Sequence, residues 1–128
     1  MSLANRRFVV LRLTEEDAKA MPLDVELITA SIDAASGMEL GTSTRRDIDL
    51  AVDRLLGHLR EVMAEELGAD ADPEVRKLFQ EAYRLLDLTT RPTSVTPVFG
   101  AFNYMRDVAN LTRRLISVYT ERHGAGVT

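Results

Sequence analysis

The segment from Pro97 to Arg122 carries two adjacent apolar stripes at helical spacing, and no other feature of the sequence constrains the fold as strongly. The first stripe consists of Val98, Phe102, Met105, Ala109, Thr112, Ile116 and Tyr119. The second stripe consists of Ala101, Tyr104, Val108, Leu111, Leu115 and Val118. A surface helix buries a single narrow face, whereas two neighbouring apolar stripes predict a helix with packing partners on two sides. We therefore expect the other elements of the chain to pack around this helix.

Start and stop signals divide the rest of the chain into three further amphipathic helices. The predicted helices span residues 23–36, 43–67 and 73–88, with the central helix at 97–122. Asp72-Pro73 and Thr96-Pro97 each place a capping side chain before a proline in the first turn, and Gly68 is the predicted stop of the second helix. Because the links are short, neighbouring helices are expected to be antiparallel. The expected fold is all-α, a four-helix-type bundle formed by a single domain over residues 1–128.

Residues 1–13 differ from the rest, because Phe8-Val9-Val10-Leu11-Arg12-Leu13 has the composition of a strand. This segment either lies across the bundle, pairs with the same segment of a second subunit, or joins a short helix. We interpret it as an ordered apolar N-terminal arm at a dimer contact, and we therefore predict a homodimer. Thr14-Glu15-Glu16-Asp17 predicts a helix start, and Pro22 limits that helix to about two turns. At the other end, residues 124–128 are predicted to be a frayed tail.

The composition excludes several classes of function. The chain has 128 residues and no Cys, which excludes thiolate catalysis, disulfides and zinc sites built on sulfur. Its net charge of −4 argues against a nucleic-acid or anionic-membrane partner, because both require a basic surface. The longest apolar run, Phe8 to Leu11, is far shorter than the about 18 residues of a membrane span, so a cytoplasmic location is expected.

His58 is the candidate catalytic residue, because it lies at the edge of the apolar face of a predicted helix. In the functional interpretation it is a general base, with Tyr104 or Tyr119 as hydrogen-bond donor. In the structural interpretation it is a border histidine that is hydrogen-bonded to a neighbouring helix. No metal and no cofactor are predicted, since the paired Glu-x-x-His sequences of di-iron bundles are absent.

Aromatic residues of the predicted core form the second candidate site. They could line a cavity for a flat apolar molecule, with phenols as polar tips, although core packing explains them equally well. The residues proposed for this cavity are Tyr83, Tyr104, Tyr119, Phe99, Phe102, Met105 and His58. Thr112 interrupts the stripe and is expected to bond to the preceding turn. Arg106 and Arg113 either hold an anion or form an ordinary charged face, and one of them is predicted to pair with Glu66.

Three short motifs resemble a known family. These are Pro22-Leu23-Asp24-Val25-Glu26, Leu56-Gly57-His58-Leu59 and Ala109-x-x-x-Arg113. They resemble small actinobacterial proteins, mostly from Streptomyces, that are described as natural-product biosynthesis proteins of unknown function. The resemblance covers about residues 20 to 122, but the Gly-His step usually follows Leu-Arg in that family and follows Leu55-Leu56 here. It implies a context in secondary metabolism and no mechanism.

Two hypotheses of function follow from these features. The first is a non-catalytic accessory or binding protein of natural-product metabolism that engages a protein partner or an apolar small molecule. A transcription factor as the partner would fit the same features. The second is a small cofactor-independent enzyme that acts on a hydrophobic intermediate with His58 as its base. A cavity of about 300 Å³ or more with His58 in its wall would favour the enzyme.

Overall fold

A computed structural model describes residues 23–127, with side chains described through His123, and these residues form four helices. The helices are α1 (Val25–Ser36), α2 (Arg45–Met63), α3 (Pro73–Leu86) and α4 (Val98–Val127). The predicted all-α bundle is confirmed. The last helix extends beyond its predicted end at Arg122, since a single glycine such as Gly124 weakens a helix without necessarily ending it.

Side-chain caps start the first three helices: the predicted cap at Asp72 is confirmed, whereas α1 and α2 begin two residues later than predicted, after Asp24 and Thr44. The Asp24 carboxylate accepts the N–H of Leu27, and the Asp72 carboxylate accepts the N–H of Glu74. Thr44 and Asp47 form a reciprocal capping box at the start of α2. The hydrogen bonds donated by the backbone and the hydroxyl of Thr44 lower the pKa of the Asp47 carboxyl. Local chemistry therefore fixes these helix starts.

The end of α2 differs from the prediction. The helix ends at Met63 instead of continuing to residue 67, and the chain then turns so that Leu67 is buried while Glu66 is exposed. The predicted ion pair of Glu66 with Arg106 or Arg113 is therefore wrong, because the Glu66 carboxylate accepts the N–H of Gly68 instead. Gly68 has a φ of +84°, a conformation that glycine adopts readily.

The helix α4 is central, because it contacts each of the other three helices and shares larger interfaces with α1 and α3 than α2 does. Its partners α1 and α3 run opposite to it: Arg113 bonds to Asp33 near the end of α1, and the Tyr104 hydroxyl bonds to the Leu85 carbonyl near the end of α3. Arg45, at the start of α2, bonds to the Thr96 carbonyl just before α4, so α2 and α4 run in the same direction. The α2–α4 pair forms the largest interface, and α1 and α3 pack against it without touching each other.

The core consists largely of the two stripes of α4 and the apolar face of α2. Most stripe residues of α4 are buried, and only Val98 at the start of the helix and Val118 near its end retain substantial exposure. The α2 residues that face them are Ile48, Val52, Leu55, Leu56, Leu59 and Val62. The prediction of a central helix covered on two sides is therefore confirmed.

Two sequence predictions concern residues outside the described part of the chain. The N-terminal arm and the short helix after it precede Leu23, so both predictions lie outside the described part of the chain.

Within residues 23–127, none of the helices combines the length and the apolar character that a bilayer crossing requires.

Gly57 lies on the exposed face of α2. A methyl group built on its Cα meets no atom within 4 Å. We therefore expect Gly57→Ala to raise the free energy of unfolding by about 1 kcal/mol, because alanine removes the entropic cost of glycine in a helix. Urea unfolding measures this, with Gly57→Ser expected to gain less. A loss of stability in Gly57→Ala would show that another backbone contacts this face.

Gly68 is expected to behave in the opposite way. Its positive φ disfavours a side chain, and an added Cβ would lie 2.6 Å from Nη1 of Arg122. Gly68→Ala should therefore lose about 1 kcal/mol of stability in urea unfolding. The matched control is Gly41→Ala, where an added Cβ has no neighbour within 4 Å. Equal stability of the two variants would contradict the strained turn.

Candidate functional site

The aromatic residues proposed for an internal ligand cavity lie mostly in the core. Phe102, Met105 and Thr112 are buried, and the Thr112 hydroxyl donates to the Val108 carbonyl one turn earlier, as the sequence predicts. Among the described residues, every buried side-chain nitrogen or oxygen has a hydrogen-bond partner. Phe102 and Met105 belong to the hydrophobic core, and the surface depressions beside Ser31 and beside Phe79 are not lined by Phe102, Met105 or Thr112.

The two candidate phenols lie far apart and have separate partners. Tyr104 donates to the carbonyl of Leu85, whereas Tyr119 accepts the N–H of Leu23 at 3.0 Å. They are about four turns apart on α4, a distance of about 22 Å. One small molecule therefore does not reach both hydroxyls.

The remaining ligand candidates lie on the surface. Tyr83 is 63% exposed, so its expected place on a buried apolar face is wrong, and Phe99 is 62% exposed and lies outside the core. The Arg106 guanidinium lies 5.9 Å above the Phe102 ring, and Arg113 pairs with Asp33 at 3.0 Å. The two arginines have different partners, which does not favour a shared anion site.

His58 uses both of its ring nitrogens, and one of them joins α2 to α1. Nε2 lies 3.0 Å from the Ser31 hydroxyl on α1, and Nδ1 lies 3.0 Å from the Glu61 carboxylate one turn along α2. An ionised carboxylate can only accept hydrogen bonds. A neutral His58 therefore carries its proton on Nδ1, which donates to Glu61, and its Nε2 accepts a hydrogen bond from the Ser31 hydroxyl. This is the border histidine bonded to a neighbouring helix that the structural interpretation describes.

The same three groups have the connectivity of a hydroxyl, a base and an orienting carboxylate, which is the arrangement that activates a nucleophile. Two features limit its use. Ser31 lies inside α1, so its backbone N–H is already used in the hydrogen bonding of the helix. The Glu61 side chain is largely exposed to solvent. A depression of about 340 Å³ lies beside Ser31 and is bordered by Asp47 and Arg54, but His58 does not line it.

Ser31→Ala is expected to lower the free energy of unfolding by about 1 kcal/mol, because it leaves the buried His58 Nε2 without its partner. Ser117→Ala is the matched control, since the exposed Ser117 hydroxyl bonds only to the carbonyl of Arg113 in its own helix. Urea unfolding of the two variants separates the effects. If both variants have the same stability, the bond between α1 and α2 is not stabilising.

A second feature, which the sequence analysis did not single out, is the connection between α3 and α4. Four large apolar side chains of this connection and of the first turn of α4 are exposed, and we call them the connection patch. They are Leu88, Val95, Val98 and Phe99, with exposed fractions of 75%, 86%, 40% and 62%. They lie close together in the chain, and grouped exposed apolar residues mark interaction sites more often than single ones do.

Polar contacts hold the backbone under the connection patch. The Arg45 guanidinium donates to the carbonyls of Thr93 at 2.8 Å and Thr96 at 2.6 Å. Arg91 donates to the Leu86 carbonyl at 2.9 Å, where α3 ends. Asp87 accepts from the N–H and the hydroxyl of Thr89, and these bonds lower the pKa of its carboxyl. The apolar side chains therefore project from a fixed backbone.

Comparison with family models, with curated proteins and with solved structures finds no match to this chain. Among the described residues, no group of three or more His, Asp or Glu side chains is placed to hold a metal ion.

Proposed function

We propose that this chain is a non-catalytic accessory protein that binds a protein partner through the connection patch. The observation that carries the proposal is the exposure of Leu88, Val95 and Phe99 on a backbone that Arg45 and Arg91 hold in place. A surface that is ordered before binding loses less conformational entropy on association. Aromatic side chains such as Phe99 also supply much of the energy of protein interfaces.

A protein partner fits the molecule better than an apolar small molecule. The residues suited to an internal ligand, including Phe102, Met105 and Tyr119, are buried among other core side chains. The exposed apolar residues lie on a connection and a helix end, where a second protein has access. The role in natural-product metabolism rests on the family resemblance alone, and the genes beside this one would test it.

The experiment compares Val95→Ser/Phe99→Ser with Leu27→Ser, whose side chain is 55% exposed on α1. Each variant gene replaces the wild-type gene in the organism that carries it, called the producing strain below. Each purified protein is also studied by circular dichroism and sedimentation velocity. The first variant should fold normally but bind its partner roughly thirtyfold more weakly. Leu27→Ser should behave as the wild type does.

The same measurements identify the partner. If the wild type dimerises and Val95→Ser/Phe99→Ser does not, the partner is a second copy that binds through the connection patch, and not through the N-terminal arm as in the predicted homodimer. If all proteins are monomers and only the patch variant fails to restore function, the partner is a different protein. Full function of Val95→Ser/Phe99→Ser would overturn the proposal.

The hydrogen bonds of His58 favour one alternative, a small cofactor-independent enzyme with His58 as general base. In this alternative Ser31 is the neighbouring hydroxyl, because Tyr104 and Tyr119 are engaged elsewhere. His58→Gln and Ser31→Ala would then each abolish function in the producing strain while the connection patch remained intact. Full function of both variants would exclude the enzyme and leave His58 as a structural residue.

A further inference from the structure

A trough lies on the side of the bundle where α2 and α3 meet. These two helices form the smallest interface among the helix pairs that touch, and a space of about 570 Å³ remains between α3 and the connection that follows α2. Its apolar lining consists of Met63, Ala64, Leu67, Ala69, Phe79 and Tyr83. Phe79 and Tyr83 make an edge-to-face pair with ring centroids 6.4 Å apart, and Tyr83 is mostly exposed.

The rim of this trough is acidic. Glu65, Glu66 and Asp70 line it, and Arg76 is its only cation. The Arg76 guanidinium is already engaged, because it donates to the backbone carbonyls of Ala69 and Asp70. An occupant that combines apolar side chains with positive charges therefore fits the trough best.

We infer that the N-terminal arm, residues 1–13 of the same chain, binds in this trough. The arm contains the apolar run Phe8-Val9-Val10-Leu11, and it carries Arg6, Arg7 and Arg12 without any Asp or Glu. Its apolar side chains match the aromatic lining, and its three arginines match the three rim carboxylates. The trough and the connection patch involve different residues, so this inference does not rest on the proposed function.

The chain enters the described fold close enough to the trough for this docking. Leu23 bonds to the Tyr119 hydroxyl, and Arg122, one turn further along α4, lies over Gly68 between the trough residues Leu67 and Ala69. Residues 14–22 join the arm to Leu23 and span about 30 Å when extended. The two-turn helix that the sequence predicts there would still span about 12 Å. The extended length exceeds the diameter of one helix, about 10 to 12 Å, and the helical length is about equal to it.

The absence of cysteine from the chain allows a direct test in the full-length protein. Phe8→Cys/Tyr83→Cys places one thiol in the arm and one in the trough, whereas Phe8→Cys/Leu50→Cys places the second on the exposed face of α2 beside α1. After mild oxidation, a non-reducing gel and peptide mass spectrometry measure the disulfide. We expect an intramolecular disulfide in the first variant, formed roughly fivefold faster than in the control.

Charge reversal tests the basis of the docking. Adding Glu65→Lys/Glu66→Lys to Phe8→Cys/Tyr83→Cys should slow disulfide formation roughly fivefold, and adding Arg6→Glu/Arg7→Glu as well should restore it. Circular dichroism checks that each protein is folded, which is expected for the trough substitutions because Glu65 is partly and Glu66 largely exposed. Equal rates of disulfide formation in the trough variant and the Leu50 control would overturn the inference. A rate of disulfide formation that does not change on charge reversal would also overturn it. A disulfide between two chains would also overturn it and assign the trough to a second copy.

Discussion

Leu115→Ala is expected to lower the free energy of unfolding by about 3 to 4 kcal/mol. Leu115 lies on the second stripe of α4 and is completely buried. Removing its branched end loses the transfer free energy of the deleted groups and leaves a cavity whose walls relax only partly. The walls are held because α4 packs against three helices at once. Urea unfolding followed by circular dichroism measures the change, which represents a large share of the stability of a domain this size.

Leu88→Ala is the matched control, because it makes the same change at a side chain that is 75% exposed. It should change the free energy of unfolding by no more than about 0.5 kcal/mol. A cost below about 1.5 kcal/mol for Leu115→Ala, or equal costs for the two variants, would contradict the central position of α4.

The central helix could be predicted because burial along it follows a local period. Both stripes of α4 repeat at helical spacing without a break, and the structure buries nearly all of their members. The cap at Asp72 could be predicted for the same reason, since it depends on a side chain and the N–H group two residues away, and the caps at Asp24 and Thr44 are equally local. Where local chemistry decides, the sequence is sufficient.

The end of α2 shows where this reasoning stops. Extending the stripe of α2 by the helical period places Glu66 inside, but the helix ends at Met63 and Leu67 is buried instead. No proline or glycine marks that end, because Gly68 follows only after a turn. Leu67 packs into the core after the helix has ended, and this is a tertiary contact that the helical period does not contain.

The candidate site was predictable only in part. Glu61 lies one turn from His58 on the same helix, so their contact follows from helical geometry. Ser31 lies 27 residues away, and its bond to His58 depends on the register between α1 and α2, which a single sequence does not contain. The exposure of Phe99 depends likewise on the angle at which the connection enters α4. The connection patch therefore emerged only from the fold.

Tyr104→Phe is expected to lower the free energy of unfolding by about 2 kcal/mol near neutral pH. The last carbonyls of a helix lack partners within the helix, and at the end of α3 they are bonded by other groups. The N–H of Asp87 bonds to the Tyr83 carbonyl, Arg91 bonds to that of Leu86, and the Tyr104 hydroxyl bonds to that of Leu85. Phenylalanine keeps the ring packing but leaves the Leu85 carbonyl without this donor, and an unsatisfied buried acceptor costs more than a hydrogen bond contributes.

The same substitution should change the alkaline limit of stability. Burial raises the pKa of the Tyr104 phenol above its ordinary value of 10.0, so the folded state favours the neutral hydroxyl. The stabilisation is complete below pH 10 and is lost as the pH rises through the higher pKa of the folded state. Tyr104→Phe should therefore lose less stability than the wild type between neutral pH and the strongly alkaline range, as measured by urea unfolding at each pH. Tyr83→Phe removes an exposed hydroxyl and should follow the wild-type profile. Identical pH profiles for the two variants would show that the Tyr104 hydroxyl does not hold the end of α3.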